Sequence, residues 1–267
     1  MSGCRIIDLT PENVARYGMC GYNDPAKPGL RRKIDWFKKF YPRGLRIKAI
    51  LSPEDTSLGM IEYIPGEHAH RPVDARGYTF IHCLFVGHRI LPKGKGHGSA
   101  LLEACIQDAR QKRTLGVAVV TRRGPFMAKK DLFLKKGFSL VDEAKPDFEL
   151  LALKFSPAAA DPRFKDLPAS VDKYAKGLTV IRSAQCPYTA KNVDAILETA
   201  KEKLRLEAAL IELEDAQAAQ QTPCPVGTFC LLYNGEVISH HPISNTRFQN
   251  IMRGISPPPH SPATPTR

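Results

Sequence analysis

The chain is short of acidic residues, of long apolar runs and of complete nucleotide fingerprints, and each shortage removes a class of function. Its 267 residues carry 27 Asp and Glu against 39 Lys and Arg, a formal net charge of +12. Such an excess steers polyanions. No zinc-finger spacing, helix-turn-helix pattern or aromatic RNA-reading motif accompanies it, so nucleic acid is not the expected partner. No apolar stretch approaches the roughly 18–20 residues that span a bilayer, and no membrane partner is expected. The opening Met1-Ser2-Gly3-Cys4-Arg5 has no signal-peptide core, which makes a cytoplasmic location the expectation. Seven irregularly spaced cysteines form no disulfide framework, so reduced thiols are expected. His240-His241 and His68-x-His70 complete no ligand set, and no metal is expected. Neither a Gly-Lys-Ser/Thr P-loop nor a dinucleotide fingerprint occurs, which argues against an ATPase and an NAD enzyme.

What is present centres on residues 80–109. Phe80-Ile81-His82-Cys83-Leu84-Phe85-Val86 reads as an apolar strand, and Lys93-Gly94-Lys95-Gly96-His97-Gly98-Ser99 as a basic glycine loop. Leu101, Cys105 and Ala109 recur every four residues with Leu102 and Ile106 beside them, while Glu103, Gln107, Arg110 and Gln111 lie opposite. That pattern predicts an amphipathic helix. A strand that delivers glycines onto a helix N-terminus builds an anion site, because free N–H groups converge there and the dipole adds about half a positive charge. Without a Cβ, Gly94, Gly96 and Gly98 let a diphosphate reach the main chain. The expected ligand is phosphorylated.

These residues also carry a resemblance. Leu84-Phe85-Val86 followed by Lys93-Gly94-Lys95-Gly96-His97-Gly98-Ser99-Ala100-Leu101-Leu102 resembles the acetyl-CoA motif of the GNAT N-acetyltransferases, with Lys93 where Arg or Gln is commoner. Leu132-Phe133-Leu134-Lys135-Lys136-Gly137-Phe138 resembles that family's helix-to-strand signature, in the same order along the chain. The resemblance implies acetyl-CoA as cosubstrate, bound by Leu84, Phe85, Val86, Lys93, Gly94, Lys95, Gly96, His97, Gly98 and Ser99. It further implies acetyl transfer to an amine of a small molecule or peptide, by direct attack in a ternary complex. The N–H of Phe85 or Val86 is the implied polariser of the acetyl carbonyl.

Residues 1–157 are expected to form the GNAT domain, an α/β unit with a mixed sheet. A Pro- and Ala-rich stretch over 158–176 reads as a linker, and 256–267, with Pro257-Pro258-Pro259, as a disordered tail. Between them, 177–255 read as strand, cysteine turn, helix, strand, helix, hairpin and helix, the order of a small thioredoxin-like α/β domain. Cys186-Pro187-Tyr188 resembles the start of a glutaredoxin site, but Thr189 stands where its second cysteine would fall. Gly227-Thr228 occupies the place of the thioredoxin cis-proline. A GNAT domain with such a module resembles the acetyltransferases that carry a C-terminal YoaP-like domain.

Amine acetylation needs a base for the acceptor and an acid for the leaving thiolate. His82 is the first candidate base, since strand alternation would put it on one face with Leu84, and an imidazole suits proton transfer near neutral pH. Glu62, on a neighbouring strand, is the second; the competing readings are packing within the strand for His82 and an exposed place on a half-buried strand for Glu62. Phe133 stands where relatives place a tyrosine acid, so either another group, such as Tyr63, Cys83 or Asp131, takes that task or the thiolate leaves unassisted. Cys83 could instead carry the acetyl group covalently, or simply pack. Tyr63 and Cys186 are the candidate substrate contacts. Cys186 at a helix N-terminus should have a depressed thiol pKa, and Cys224 could pair with it. The alternative reading is a thiol-binding or redox protein that works through the C-terminal domain, with a CoA-sensing N-terminal domain. Assembly as a homodimer stays open.

Overall fold

The computed structural model describes residues 3–87, 96–166 and 174–255. Lys93, Gly94 and Lys95, part of the expected linker and the expected tail lie outside the described residues. The first unit contains β1 (Arg5–Leu9), α1 (Val14–Tyr17), α2 (Pro28–Phe40), β2 (Arg46–Leu51), β3 (Ser57–Pro65), β4 (Val73–Asp74) and β5 (Thr79–Val86). It continues with α3 (His97–Gln111), β6 (Gly116–Arg122), α4 (Lys130–Leu134), β7 (Ser139–Ala144) and β8 (Phe148–Lys154). Seven of these strands form one sheet in the order β1-β2-β3-β5-β6-β8-β7. All its neighbours are antiparallel except β5 and β6, which run parallel. A helix joins that pair, as a parallel crossover requires. This is the α/β fold that the GNAT resemblance implies.

Helices cover both faces. Pro28 opens α2 at the position where a missing N–H costs nothing. Leu30, Ile34, Phe37 and Phe40 then pack with Trp36, Ile47, Ala49 and Met60 on one face of the sheet. On the other face, Leu101, Leu102, Cys105, Ile106 and Ala109 of α3 pack with Ile61, Tyr63, Ile81 and Val119. Being covered twice, β3 is buried over residues 58–64. Any charge on that strand must therefore find its partners inside the protein.

The segment expected to be a plain linker contributes β9 (Arg163–Phe164), which pairs antiparallel with β4. The second sheet holds β10 (Leu178–Arg182), β11 (Ala208–Glu212), β12 (Phe229–Tyr233) and β13 (Glu236–Ser239), in the order β11-β10-β12-β13. Here β10 and β11 are parallel and the other pairs antiparallel. Three helices accompany it, α5 (Val193–Glu198), α6 (Ala216–Gln220) and α7 (Asn245–Ile255). Phe248 and Met252, four residues apart on α7, meet Val180, Ile196 and Leu231 in a separate core.

The two units touch through polar and backbone contacts. Arg32 on α2 pairs with Glu212 at 2.5 Å and Lys39 with Glu214 at 3.1 Å. The Tyr188 hydroxyl donates to the Cys20 carbonyl at 3.0 Å. Gly227, at φ +66°, lies so close to the first unit that an added Cβ would stand 2.6 Å from the His70 carbonyl oxygen.

Candidate active site

The parallel pair is short. Thr79, Phe80 and Ile81 register with Val117, Ala118 and Val119, and beyond them β5 and β6 part. The register with β6 ends at Ile81, while β5 runs on against β3 as far as Val86. A cleft with a cavity volume of about 60 Å3 begins at this wedge, between β5, β6 and the C-terminal unit.

A bulge sets which side chains reach it. Glu62 registers with Cys83 but Tyr63 with Ile81, so His82 is an extra residue in β5. This corrects the expected alternation. His82 lies on the α2 side, 6.0 Å from the Trp36 ring, whereas Leu84 packs on the α3 side. The expected substrate contact Tyr63 also belongs to the α3 side, in the core with Cys105, and does not line the cleft. The period-two rule fails here because one inserted residue turns every later side chain over.

His82 and Glu62 sit in a buried polar cluster. The side chains of Lys33, Glu62 and His82 are each 0% exposed. Lys33 on α2 donates to Glu62 Oε2, and Gln185 of the C-terminal unit donates to Oε1 at 2.7 Å. His82 Nδ1 faces Oε1 at 3.3 Å, while its Nε2 accepts the main-chain N–H of His70 at 2.9 Å. Burial would raise the Glu62 pKa, but the charge of Lys33 and the contact with His82 outweigh it and hold it at about 2. Burial also lowers His82 to about 4, against the opposing pull of Glu62. At neutral pH the cluster is a carboxylate, an ammonium and an uncharged imidazole.

Arg71 completes the cluster at the cleft wall. It donates to the carbonyls of His70 at 2.8 Å and His82 at 3.2 Å. The sequence itself carries a signal for the Lys33 side chain. Lys33 occupies a core-facing position of α2, between Leu30, Ile34 and Phe37, and a lysine there needs a buried anion.

Three cysteines line the cleft, Cys20, Cys83 and Cys186. A hydrogen bond from Cys20 lowers the Cys83 thiol pKa, with burial opposing. Cys186 departs from expectation. It precedes a single 3-10 turn, Pro187–Ala190, and burial pushes its thiol up to about 11. Nor does it meet Cys224. The Cys224 thiol stands 2.7 Å from His240 Nδ1, and Cys230 donates to it. Burial would raise Cys224, yet these two partners bring it down to about 6. His240 lines the cleft together with His241. Phe133 also lines it and packs against Phe138 at 5.5 Å, so the position of the expected tyrosine is apolar.

Beside the wedge, α3 starts after Gly96, whose φ of +77° is left-handed. The first N–H groups of a helix have no intrahelical partner, and here they belong to His97, Gly98 and Ser99. His97 is buried, and its Nδ1 has no partner among the described residues. These groups suit a diphosphate.

Residues 208–250 match the YoaP-like family. Over 254 residues the chain is 28% identical to the uncharacterized N-acetyltransferase YoaP of Bacillus subtilis (strain 168), covering 94% of this chain and 99% of that one. Among solved structures, the PaiA N-acetyltransferase of Thermoplasma acidophilum, in complex with coenzyme A, is 18% identical with a TM-score of 0.41, over 58% of this chain and 100% of that one. A GNAT family acetyltransferase of Brucella melitensis, in complex with acetyl-CoA, is 15% identical with a TM-score of 0.39, over 61% and 96%. Overlaps that loose carry no weight beside the strand order and the whole-length relative.

Proposed function

We propose that this chain, 28% identical to YoaP over 94% of its length, is a GNAT-type N-acetyltransferase that moves the acetyl group of acetyl-CoA directly onto an amine held in the cleft. The wedge between β5 and β6 carries this reading. It joins the start of α3 to a half-enclosed cleft, as a thioester needs if its diphosphate and acetyl ends are to be held apart. When bound, the cosubstrate supplies an activated acetyl carbonyl. We assign the N–H groups of His97, Gly98 and Ser99 to the diphosphate, with Lys93, Gly94 and Lys95 ahead of them. The parted edge of β5, Leu84 to Val86, would hold the chain of the carrier, and the N–H of Phe85 or Val86 would face the acetyl oxygen.

The roles of His82 and Glu62 follow from their burial. A proton moved from an amine of pKa near 10 onto an imidazole at about 4 would stand about 8 kcal/mol uphill. We therefore assign these two residues to positioning: they fix the bulge and the wall of the cleft. His240 is our candidate proton acceptor, because it lines the cleft and Cys224 fixes its ring at 2.7 Å. Cys83 lines the same space. Acetylated Cys83, found by mass spectrometry after mixing with acetyl-CoA alone, would replace direct attack with a two-step route.

The strand order of 177–255 suits a thioredoxin-like module, which we read as a wall of the acceptor site. A redox role has little support at Cys186, given its raised pKa, and Thr189 spends its hydroxyl on the carbonyls of Ser183 and Cys186, both at 2.7 Å. Calorimetry with acetyl-CoA and a screen of amines for CoA release test the proposal. Binding together with amine-dependent release is expected, and no heat with either form of the carrier would end it.

A further inference from the structure

Arg71 is 5% exposed and lines the cleft, and none of the described residues offers it a carboxylate within 4.0 Å. A guanidinium has five N–H donors. Two go to the carbonyls of His70 and His82, and the others have no acceptor among the described residues. The charges around it do not balance. Lys33 and Arg71 are cations, Glu62 is the single carboxylate of the cluster, and His70 and His82 are uncharged at neutral pH, both lowered chiefly by burial. Two basic side chains thus share one carboxylate, and it is Lys33 that contacts it. Arg122, which also lines the cleft, is already paired with Asp147 at 2.8 Å. A buried cation without a counter-ion is costly, and a ligand that brings the anion recovers that cost.

We propose that Arg71 is an anion-binding subsite for the acceptor, and that the acceptor is an amine bearing a carboxylate, an amino acid or a close analogue. This rests on the acetyl-transfer reading. A planar carboxylate matches the fork of a guanidinium through paired N–H bonds. Its two anchoring carbonyls hold the fork still before the ligand arrives. Ile81, Val119, Phe126, Met127 and Phe133 line the same cleft and suit an apolar side chain on that amino acid.

The test pairs each amino acid with its decarboxylated amine: L-phenylalanine with 2-phenylethylamine, and L-leucine with 3-methylbutylamine. CoA release is measured with the full chain, wild type and R71Q. A hydrogen-bonded charge pair predicts kcat/KM about 10–100-fold higher for the amino acids than for the amines in the wild type. R71Q should lower kcat/KM for the amino acids at least about tenfold more than for the amines. R71K keeps the charge without the fork and should fall between; it is read alone if R71Q fails to fold. Equal rates within every wild-type pair, with amines still turned over, overturn the subsite and leave acetyl transfer standing. A preference that R71Q or R71K leaves unchanged overturns it too. Calorimetry of L-phenylalanine and L-leucine against wild type and R71K separates the two ideas. Heat that weakens in the variant supports the subsite even if no amine is acetylated, and absence of wild-type heat beside amine turnover counts against it.

Discussion

Glutamine in place of Glu62 should unfold this protein more than it slows it. Lys33 then loses its anion inside the sheet, and the new amide turns a donor toward the ammonium. The held pKa of about 2, against an ordinary 4.5, corresponds to about 3 kcal/mol of favourable interaction in the ionised form. Removing one partner of a buried pair typically costs about 3–5 kcal/mol, and E62Q is expected in that range. K33M should cost a similar amount, because it strands the carboxylate. The double variant K33M/E62Q leaves a neutral amide beside a thioether, so its loss should fall at least about 2 kcal/mol short of the sum. Urea unfolding of the four proteins, followed by fluorescence of Trp36 in the adjoining core, measures each term. Additive losses within about 0.5 kcal/mol would refute the pairing. A fall in kcat of about a hundredfold or more at unchanged stability would make Glu62 a direct participant and refute the positioning role.

Acid should loosen the fold before the carboxylate titrates. His82 is held at about 4 against an ordinary 6.5, so between those values the unfolded chain takes up a proton that the folded one refuses. Stability should fall by about 3 kcal/mol as pH drops through that window, and His82→Asn should flatten the slope of melting temperature against pH. The Glu62 contribution is complete above its unfolded pKa and disappears only as pH falls through about 2. Cys224, brought down from an ordinary 9.0, adds stability that is full above that value and lost as pH falls through about 6. Its thiolate absorbance should titrate near that point and move upward in His240→Gln, and an unchanged titration would remove the Cys224–His240 pair. Gly227→Ala should cost about 1–3 kcal/mol, through its left-handed φ and the nearby His70 carbonyl, and a neutral result would deny the close approach of the two units.

Much of the fold could be read from local pattern, because its signals are local. Leu101, Cys105 and Ala109 mark α3, Asn234-Gly235 marks the β12–β13 hairpin, and the apolar run over 80–86 marks β5. The alternation within β5 could not be read, since a bulge depends on what its neighbour offers: Glu62 faces Cys83 and passes over His82. Cys186 failed for a related reason. Its turn could be foreseen, but its burial against the first unit could not, and burial dominates a thiol. The charge at Lys33 is legible in the sequence. It stands on the apolar stripe of α2, where a lysine announces a carboxylate elsewhere in the chain.

That carboxylate explains why the second unit belongs to the site. Glu62 has two oxygens, both buried, and the first unit meets one with Lys33 and faces the other with His82 at a long 3.3 Å. Gln185 reaches across from the C-terminal unit to complete the second oxygen at 2.7 Å. Without that amide, a buried lone pair would go short of a donor, at a cost of about 1–3 kcal/mol. Docking of the second unit is therefore coupled to the ionisation of Glu62. Through His82, whose carbonyl receives Arg71, it is coupled to the cation at the cleft wall as well. The residues that close the cleft from one side and those that set its charge from the other share a single carboxylate. An acceptor that neutralises Arg71 should accordingly tighten the contact between the two units, and a variant that loosens Gln185 should weaken that acceptor before it weakens the carrier.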